Sequence, residues 1–337
     1  MIAVQALEPE SLAEWDAYVL SRPGTHFAQR TAWRSLVGEF FPVEARWWQA
    51  RDEHDRIVGI LPVFRGRNAL FSSPGGLVAD STDAAVALLE RAGGEVARDR
   101  LLWLEMRDQS AAWPNAATST EHVTLVLELA TDEDAQWASF DAKLRNQVRK
   151  AQKSGLRIER GASQLDAFHR VFTECMRDLG TPAMERRYFG RALELYGDAA
   201  EVLVVYHGAQ PIGGMFVVRH ADTLFDPWAC SLRRFFALCP NSLLYWEALR
   251  FALAAGMRRF DFGRSQPGSG TYRFKTQFGA RSMPLYYQYV LGRAPRVPTL
   301  ADQKSSLELA VHVWRRLPLA VTRALGPRAR RLFPEAL

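Results

Sequence analysis

The sequence predicts an α+β protein with two domains and a basic helical tail, and three observations lead to that prediction. The chain has 337 residues, which at roughly 100–200 residues per domain suits two domains better than one. Hydrophobic residues make up 48% and charged residues 24% of the chain, the balance of a folded globular protein. Segments of strand character also alternate with segments of helical periodicity. We place the domains at residues 1–139 and 140–291 and the tail at residues 292–337.

The first domain combines helical patterns with a predicted hairpin. Apolar-rich residues 45–50 and 56–65 flank the turn-like sequence RDEHD, which predicts two antiparallel strands. The Gly/Pro-rich sequence SSPGGLVAD at residues 72–80 predicts a loop. Further strands are expected at 101–107 and 121–129, and helices at 9–20, 31–38 and 82–97.

The second domain has a denser series of elements. Apolar residues at helical spacing predict a helix from Phe140 to Ala151, and Gly155 follows as a helix-ending residue. Asn241 is expected to cap a later helix that ends before Gly256. Other helices are expected at 165–179 and 186–196, and strands at 201–207, 212–219, 223–229, 259–262 and 285–291. This order of strands and helices resembles the acyltransferase core called GNAT.

The formal charge is distributed unevenly along the chain. Residues 292–337 hold nine Lys and Arg against three Asp and Glu, whereas the preceding residues are balanced at 34 against 34. The whole excess of +6 therefore lies in the tail. A generally basic, nucleic-acid-binding body is not expected from this distribution.

Composition excludes several further classes of protein. The chain has no stretch of about 18 uncharged apolar residues, so no transmembrane helix is expected. The opening MIAVQALEPE lacks the basic and apolar regions of a secretory signal. Cys175, Cys230 and Cys239 have no paired or zinc-binding spacing, and the seven histidines form no HxxxH or HExxH pattern. We therefore expect a reduced, cytoplasmic protein with no metal site.

Two motifs carry a more specific resemblance. The sequences Phe260–Arg264 (FDFGR) and Gly270–Gly279 (GTYRFKTQFG) resemble the "yDFGG…GlyxFKxgfG" signature of the Fem family of peptidyltransferases. Lys143–Ala151, followed by Lys153–Gly155, resembles that family's basic helix, "RxxIxKAxKxG". The resemblance covers about residues 1–291 and implies two GNAT-like domains in tandem.

A narrower resemblance is to the FemAB-like proteins of exosortase/PEP-CTERM exopolysaccharide loci. The matching sequences are RDLGTP (177–182), PWACS (227–231), NSLLYW (241–246), FDFGRS (260–265), GTYRFKTQFGA (270–280), PLYYQY (284–289) and WRRLPLAVTRALGP (314–327). On these motifs the chain is identified as a member of that group.

The Fem resemblance implies an acyl-transfer site in the second domain. Lys275 matches a lysine that lines the transfer site of Fem enzymes, where an ammonium group could stabilise the oxyanion formed when an amine attacks an ester. Asp261 is the second candidate catalytic residue, and it could orient the amine or hydrogen-bond the loop that follows. Surface, core or helix-capping roles are the structural alternatives. The remaining substrate-binding candidates are Asp178, Thr181, Asp226, Trp228, Ser231, Arg264, Tyr272 and Phe274.

The basic helix contributes a third set of candidates. Arg145, Arg149 and Lys153 stand at positions i, i+4 and i+8 and therefore share one helix face. Such a stripe suits a phosphate-bearing substrate, either a tRNA backbone or a nucleotide-linked sugar. A solvated face is the alternative interpretation.

Two expected features are missing from the sequence. The stretch Arg233–Asn241 (RRFFALCPN) lacks the Q/R-x-x-G-x-G/A loop whose backbone N–H groups approach a CoA pyrophosphate. Its absence argues against acetyl-CoA, although Arg233 and Arg234 could still bind phosphate. No long heptad stretch predicts the helical arm of Fem factors. Because the neutral charge of the first 291 residues argues against a large RNA, aminoacyl-tRNA and acyl-CoA both remain open as acyl donors.

The resemblance implies a Fem/GNAT-type acyltransferase that moves an aminoacyl or acyl group to an amine in cell-envelope or exopolysaccharide biosynthesis. The expected partners are an activated acyl donor and an amine-bearing envelope or sugar precursor, with no permanently bound cofactor. The alternatives are a CoA-dependent N-acyltransferase acting on an amino sugar and a non-catalytic Fem-like scaffold of a polysaccharide or exosortase system.

The tail mixes apolar and basic residues over 311–331. Pro318 breaks any single helix, so we expect two short amphipathic pieces, the second ending near Gly326. The tail either packs back onto the first domain or contacts an anionic membrane surface or an envelope-assembly partner. Membrane contact would place the protein peripherally at the inner face of the plasma membrane.

Overall fold

The computed structural model describes residues 2–108, 113, 116–297 and 308–333, and it confirms the α+β class. The strands are β1 (Ala3–Ala6), β2 (Glu44–Arg51), β3 (Ile57–Arg65), β4 (Leu70–Gly75), β5 (Val78–Ala79), β6 (Trp103–Asp108), β7 (Ala117–Glu128), β8 (Leu156–Arg160), β9 (Ala200–His207), β10 (Gln210–His220), β11 (Thr223–Ser231), β12 (Arg259–Ser265) and β13 (Arg281–Leu291). The helices are α1 (Leu12–Ser21), α2 (Thr31–Phe40), α3 (Thr82–Arg98), α4 (Glu133–Ser139), α5 (Ala142–Lys153), α6 (Leu165–Leu179), α7 (Arg186–Tyr196), α8 (Pro240–Ala254), α9 (Gly270–Thr276), α10 (Glu308–Arg316) and α11 (Leu319–Arg330).

The chain forms two compact units, each interrupted in sequence. Unit 1 comprises Met1–His122, Pro284–Asp302 and Phe333–Leu337, and unit 2 comprises Val123–Met283 and Gln303–Leu332. The first break between the two units falls inside β7, between His122 and Val123, whereas the expected boundary lies between residues 139 and 140. Residues 298–307 and 334–337 of the expected tail lie outside the described residues.

Unit 1 has strands in the order β1-β2-β3-β4-β6-β13, with β5 paired to β3. The predicted hairpin is confirmed as β2 and β3, in which Trp48 pairs with Leu61. The loop expected at residues 72–80 is wrong, because β4 continues through Ser72 and Ser73 and runs parallel to β6. These serines are buried, and Ser72 Oγ accepts a hydrogen bond from the Arg107 N–H at 2.9 Å, so polar side chains here complete a strand.

Unit 2 has strands in the order β7-β12-β11-β10-β9-β8. Alternation along β10 gives this sheet two covered faces. Met215 and Val217 belong to the apolar cluster formed with α5 and α8. Phe216, between them, contacts Phe168 of α6 and Phe189 of α7. Helices α5 and α8 therefore lie on one face of the sheet, and α6 and α7 lie on the other.

Both units repeat one strand pattern. A run of antiparallel strands leads to one parallel pair, β4 with β6 in unit 1 and β11 with β12 in unit 2. The next strand is antiparallel and comes from a distant part of the chain: β13 completes unit 1, and β7 completes unit 2. The placement of β13 explains why unit 1 is discontinuous in sequence. Unit 2 is discontinuous because Gln303–Leu332 of the tail belongs to it.

The start of α8 differs from the expected one. The helix begins at Pro240, and Cys239 precedes it in the left-handed conformation with a φ of 60°. Asn241 is therefore inside the first turn, and its predicted capping role is wrong. Proline suits this position because the first helical N–H has no intrahelical partner. Gly256, with a φ of 71°, follows the end of the helix as predicted.

The tail forms two helices, α10 and α11, that meet at Pro318 as expected. The second helix does not end near Gly326; it continues through Pro327 to Arg330. A Cβ at Gly326 would lie 3.2 Å from the Ala183 carbonyl oxygen, so the lack of a side chain allows this close packing.

The tail helices α10 and α11 belong to unit 2 and pack on α6, whereas packing on the first domain is one of the expected alternatives. Arg315 donates to the Leu179 carbonyl at 3.1 Å, and Arg323 donates to Thr173 Oγ1 at 3.3 Å. Both acceptors belong to α6. The side chain of Trp314 is half-buried.

Candidate active site

The site forms where two parallel strands of unit 2 separate. Strands β11 and β12 pair only over Thr223–Phe225 and Arg259–Asp261. At the same level the register of β12 with β7 shifts between Asp261 and Arg264, and Gly263 adopts a φ of 73°. The backbone therefore opens beyond the carboxyl ends of a parallel pair, which is where α/β folds commonly admit ligands.

Asp226 lies at this opening on β11. Its Oδ2 accepts a hydrogen bond from the Tyr245 hydroxyl of α8 at 2.5 Å. Its Oδ1 is buried and has no hydrogen-bond partner among the described residues. Burial raises the pKa of Asp226 to about 7, against the lowering effects of Tyr245 and Lys275. Asp226 thus changes protonation state near neutral pH and offers one oxygen to a ligand.

Asp261 lies on β12 opposite Phe225, the residue before Asp226, and its carboxyl group makes more hydrogen bonds. Its Oδ1 accepts hydrogen bonds from Thr124 Oγ1 at 2.6 Å and from the Gly263 N–H at 2.7 Å. Burial raises the pKa of Asp261, while these two hydrogen bonds favour the charged form. The carboxyl therefore holds the backbone bulge in place, in line with the loop-bonding alternative for this residue.

Lys275 reaches the same bulge from α9. The side chain is 9% exposed, so it is not a surface lysine. Its Nζ donates to the carbonyl oxygens of Gly263 at 3.0 Å and Arg264 at 3.2 Å. Burial lowers the pKa of Lys275, and the neighbouring Asp226 and Asp261 oppose that effect. An ammonium group has three protons, so these two hydrogen bonds leave one for a ligand.

We expect Gly263→Ala to impair the activity of this site as well as the stability of the fold. A Cβ at this left-handed position would lie 3.2 Å from the Asp226 carbonyl oxygen and would displace the Asp226 backbone. Gly268 is a matched control, since its φ is 77° and nothing lies within 4 Å of its Cβ position. Both variants should lose about 1 kcal/mol of unfolding free energy from backbone strain. Only Gly263→Ala should also slow turnover. Equal turnover of the two variants would show that the backbone bulge at Gly263 is not part of the active site.

Other predicted residues on β11 lie apart from this cluster. Trp228 packs edge-on against Tyr188, Phe189 and Phe216, in the aromatic cluster on the α6/α7 face. Ser231, further along the strand, is buried, and its Oγ has no partner among the described residues. The strand therefore does not bring these two side chains to Tyr245 and Lys275.

The predicted residues near α9 are closer to the site. Phe274 contacts the Tyr245 ring at 5.3 Å between centroids, so it packs against the tyrosine that hydrogen-bonds Asp226. Tyr272 is half-buried against the same apolar cluster. Arg264 supplies a backbone carbonyl to Lys275, and its side chain is exposed.

Asp178 and Thr181 form the end of α6, the structural alternative expected for them. Asp178 accepts a hydrogen bond from Arg177 at 2.8 Å. The Thr181 N–H donates to the Met176 carbonyl, and Gly180 has a φ of 80°, so this segment ends the helix in a left-handed turn. A Cβ at Gly180 would meet Val311 of α10. This turn is thus covered by the tail.

The basic stripe lies on the solvent side of α5. Leu144 and Val148 are buried on the opposite side, and Asp141 caps the helix by accepting the Leu144 N–H at 2.7 Å. Arg149 stacks over the Trp137 ring at 5.5 Å. The three predicted side chains, Arg145, Arg149 and Lys153, therefore form one accessible cationic row.

Two residues of the cluster were not among the predicted site residues. Tyr245 lies inside the NSLLYW motif, but a tyrosine in an apolar helix is predicted as core unless its hydroxyl partner is known. Thr124 lies on β7, far from Asp261 in sequence, and only strand pairing reveals their contact. No local pattern in the sequence marks either one.

The segment before α8 does not form a pyrophosphate-binding loop. Arg233–Leu238 is a 3-10 helix, and Pro240 at the start of α8 has no N–H to donate. Arg234 pairs with Glu174 of α6. Residues 233–240 therefore do not fit a CoA pyrophosphate in the usual GNAT manner. No metal-binding group of His, Cys, Asp or Glu occurs among the described residues.

Residues 138–276 match the family described as Acetyltransferase (GNAT) domain. This segment lies in unit 2 and contains Asp226, Asp261 and Lys275. The chain thus carries a GNAT-type acyltransferase domain, and the separated strands β11 and β12 lie within it. No curated protein sequence is significantly similar to the chain. Within the described residues, no helix has the length and apolar character needed to cross a membrane.

Solved structures share the fold of nearly the whole chain. FemX matches with a TM-score of 0.69 and 15% identity, over 92% of this chain and 100% of that one. The tandem GNAT protein from the clavulanic acid biosynthesis pathway matches with a TM-score of 0.58 and 13% identity, over 88% and 100%. L-PGS from Bacillus licheniformis matches with a TM-score of 0.59 and 11% identity, over 93% and 99%. The predicted fold of two GNAT-like domains with a helical C-terminal end is therefore confirmed.

Proposed function

We propose that this chain is a Fem/GNAT-type acyltransferase that transfers an aminoacyl or acyl group to an amine during cell-envelope or exopolysaccharide biosynthesis. The observation that carries the proposal is the buried group of Asp226, Tyr245 and Lys275 where β11 and β12 separate. The FemX-like fold and the matched FK motif support it. The membership in the exosortase-associated group rests on sequence motifs alone and belongs to the same proposal.

Asp226 acts on the proton of the attacking amine. As the amine nitrogen bonds to the acyl carbon, it must lose a proton, and Asp226 Oδ1 is the free acceptor in the site. Tyr245 holds the other carboxylate oxygen in place. A group with a pKa near the working pH is suited to this exchange. The carboxyl then returns the proton to the leaving oxygen or sulfur as its bond to the acyl carbon breaks.

Lys275 acts on the oxyanion. The carbonyl oxygen gains negative charge in the tetrahedral intermediate, and a fixed ammonium within a water-poor site stabilises that charge. The Gly263 and Arg264 carbonyls orient Nζ, so little reorganisation is needed during the reaction. Asp261 is a positioning residue, since it holds the bulge that supplies those carbonyls. No covalent enzyme intermediate is required.

The choice of acyl donor depends on residues 233–240, which precede α8. Because residues 233–240 do not fit a CoA pyrophosphate, we favour an aminoacyl-tRNA donor. A CoA-dependent N-acyltransferase acting on an amino sugar is the second candidate, since Arg233 and Arg234 lie on the exposed surface of that segment. A non-catalytic scaffold would have no use for buried charges, which are costly to desolvate.

Thermal unfolding with candidate substrates tests the proposal. The probes are an aminoacyl-tRNA, an acyl-CoA and a nucleotide-linked amino sugar, with uncharged tRNA and free CoA as controls. A ligand at 100 times its Kd stabilises the native state by about 2.7 kcal/mol, which raises the melting temperature. We expect charged tRNA to shift melting more than the controls. If no probe shifts melting and no amine is acylated, the scaffold alternative replaces the enzyme.

We expect Arg145→Glu/Arg149→Glu to weaken binding of the phosphate-bearing substrate by at least about tenfold, and wild-type affinity to fall as salt rises. The reason is that both side chains lie on the accessible row of α5. The variant Arg67→Glu/Arg293→Glu makes the same charge change on exposed residues of unit 1 and serves as the control. Affinity that is insensitive to salt and equal in both variants would show that the row is a solvated face.

A further inference from the structure

The tail helices have a second side that the packing on α6 leaves uncovered. On α10, Leu309 is 78% exposed and Val313 is 49% exposed. On and just after α11, Val321, Leu325 and Leu332 are 37%, 46% and 73% exposed. These positions follow helical spacing, so each helix turns one apolar row to solvent. Neither row is needed for the contacts with α6.

Arginines accompany these apolar rows. Between residues 308 and 333 the chain holds six arginines and one acidic residue, Glu308. Arg316 is exposed at the position one turn after Val313, and Arg328 lies between Leu325 and Leu332 on the same face. Arg331 pairs with Glu185, and Arg330 is buried, so these two side chains are less available to a partner than Arg316 and Arg328.

An apolar row flanked by arginines is complementary to a surface that offers both an apolar layer and negative charge. An amphipathic helix of this kind lies in the interface of a bilayer, with its apolar side chains at the acyl boundary and its cations at the headgroups. Each arginine near an anionic leaflet strengthens binding by about fivefold. Monomeric proteins seldom expose such rows without a partner.

We propose that α10 and α11 form a docking surface for a bilayer that carries anionic phospholipids. Leu309, Val313, Val321, Leu325 and Leu332 enter the interface, and Arg316 and Arg328 bind lipid phosphates. Docking of this side leaves the α6 contacts of Arg315 and Arg323 in place. The proposal does not depend on acyl transfer, because it concerns another surface of unit 2.

Vesicle flotation of the full chain tests this surface. The probes are vesicles of phosphatidylcholine alone and of phosphatidylcholine with phosphatidylglycerol, at low and high salt. We expect binding only to the anionic vesicles and release by salt. Arg316→Glu/Arg328→Glu should lower the partition coefficient by at least about tenfold. Leu309→Ser/Leu325→Ser should also lower binding, and its residual binding should be weak even at low salt.

Two matched variants show whether the effect belongs to the tail. Arg67→Glu/Arg293→Glu makes the same charge change on exposed residues of unit 1, and Leu20→Ser removes an apolar side chain that is 46% exposed. Both should bind vesicles as the wild type does. The proposal is overturned if the wild type does not bind anionic vesicles at low salt, which is the result expected if the partner of the tail is a protein. It is also overturned if the unit 1 variants lose as much binding as the tail variants.

Discussion

Lys275→Ala is expected to lower the rate of acyl transfer by about 10²–10³-fold while the protein stays folded. The lost group is the only buried ammonium that the described residues place at the separated strands. The substitution also leaves the Gly263 and Arg264 carbonyls without their donor, so a modest loss of stability accompanies the loss of activity. Steady-state turnover and thermal unfolding of the same preparation measure both effects.

Arg273→Ala is the matched control for this prediction. Arg273 lies on α9 two residues before Lys275, but its side chain is exposed. The control should keep near-wild-type turnover. A Lys275→Ala enzyme with wild-type turnover on the same substrate would contradict the role of the ammonium group, and the FK motif would then be structural.

Asp226→Asn is expected to lose at least about 10²-fold in turnover and to be more stable than the wild type at pH 8. Burial raises the pKa of Asp226 from 3.8 to about 7 in the folded chain. The unfolded chain therefore ionises first, and the wild type loses stability as the pH rises from about 4 to about 7. At about 1.4 kcal/mol per pKa unit, removing this charge should stabilise the fold by a few kcal/mol at pH 8.

The same variant contains its own control at low pH. At about pH 4 the buried carboxyl of the wild type is protonated, so the two proteins should have similar unfolding free energies. Chemical unfolding at both pH values gives the comparison. A variant that is destabilised at pH 8, or that remains fully active, would contradict the assignment of Asp226 as a buried and functional acid.

Local patterns predict most elements of this fold but not their long-range pairing. The periodicity of 165–179 and 186–196 gives α6 and α7 with their observed bounds. The placement of β7 in unit 2 and of β13 in unit 1 cannot be predicted in this way, because a hydrophobic pattern predicts a strand but not the strand with which it pairs. The same limit explains the missed strand at Ser72 and Ser73, where serines meet backbone groups that no local sequence shows.

The candidate site divides in the same way. Lys275 and Asp261 can be selected from the sequence, because the motifs that contain them resemble the Fem signature. The partners that give Asp226 its properties come from α8 and α9, and the contact with Tyr245 depends on how α8 packs on the sheet. Trp228 lies close to Asp226 in sequence but packs with the aromatic cluster on the α6/α7 face, which is the core alternative for this residue.

The pH dependence of amine acylation, compared between the wild type and Asp226→Asn, tests the account most directly. Wild-type turnover should rise with pH around 7, as Asp226 loses its proton, and should fall at higher pH as Lys275 loses its own, below the usual value for lysine. The rising limb should be absent from the residual activity of Asp226→Asn, while the falling limb stays. A wild-type profile without a rising limb near pH 7, or an unchanged rising limb in the variant, would contradict a transfer site built on Asp226 and Lys275.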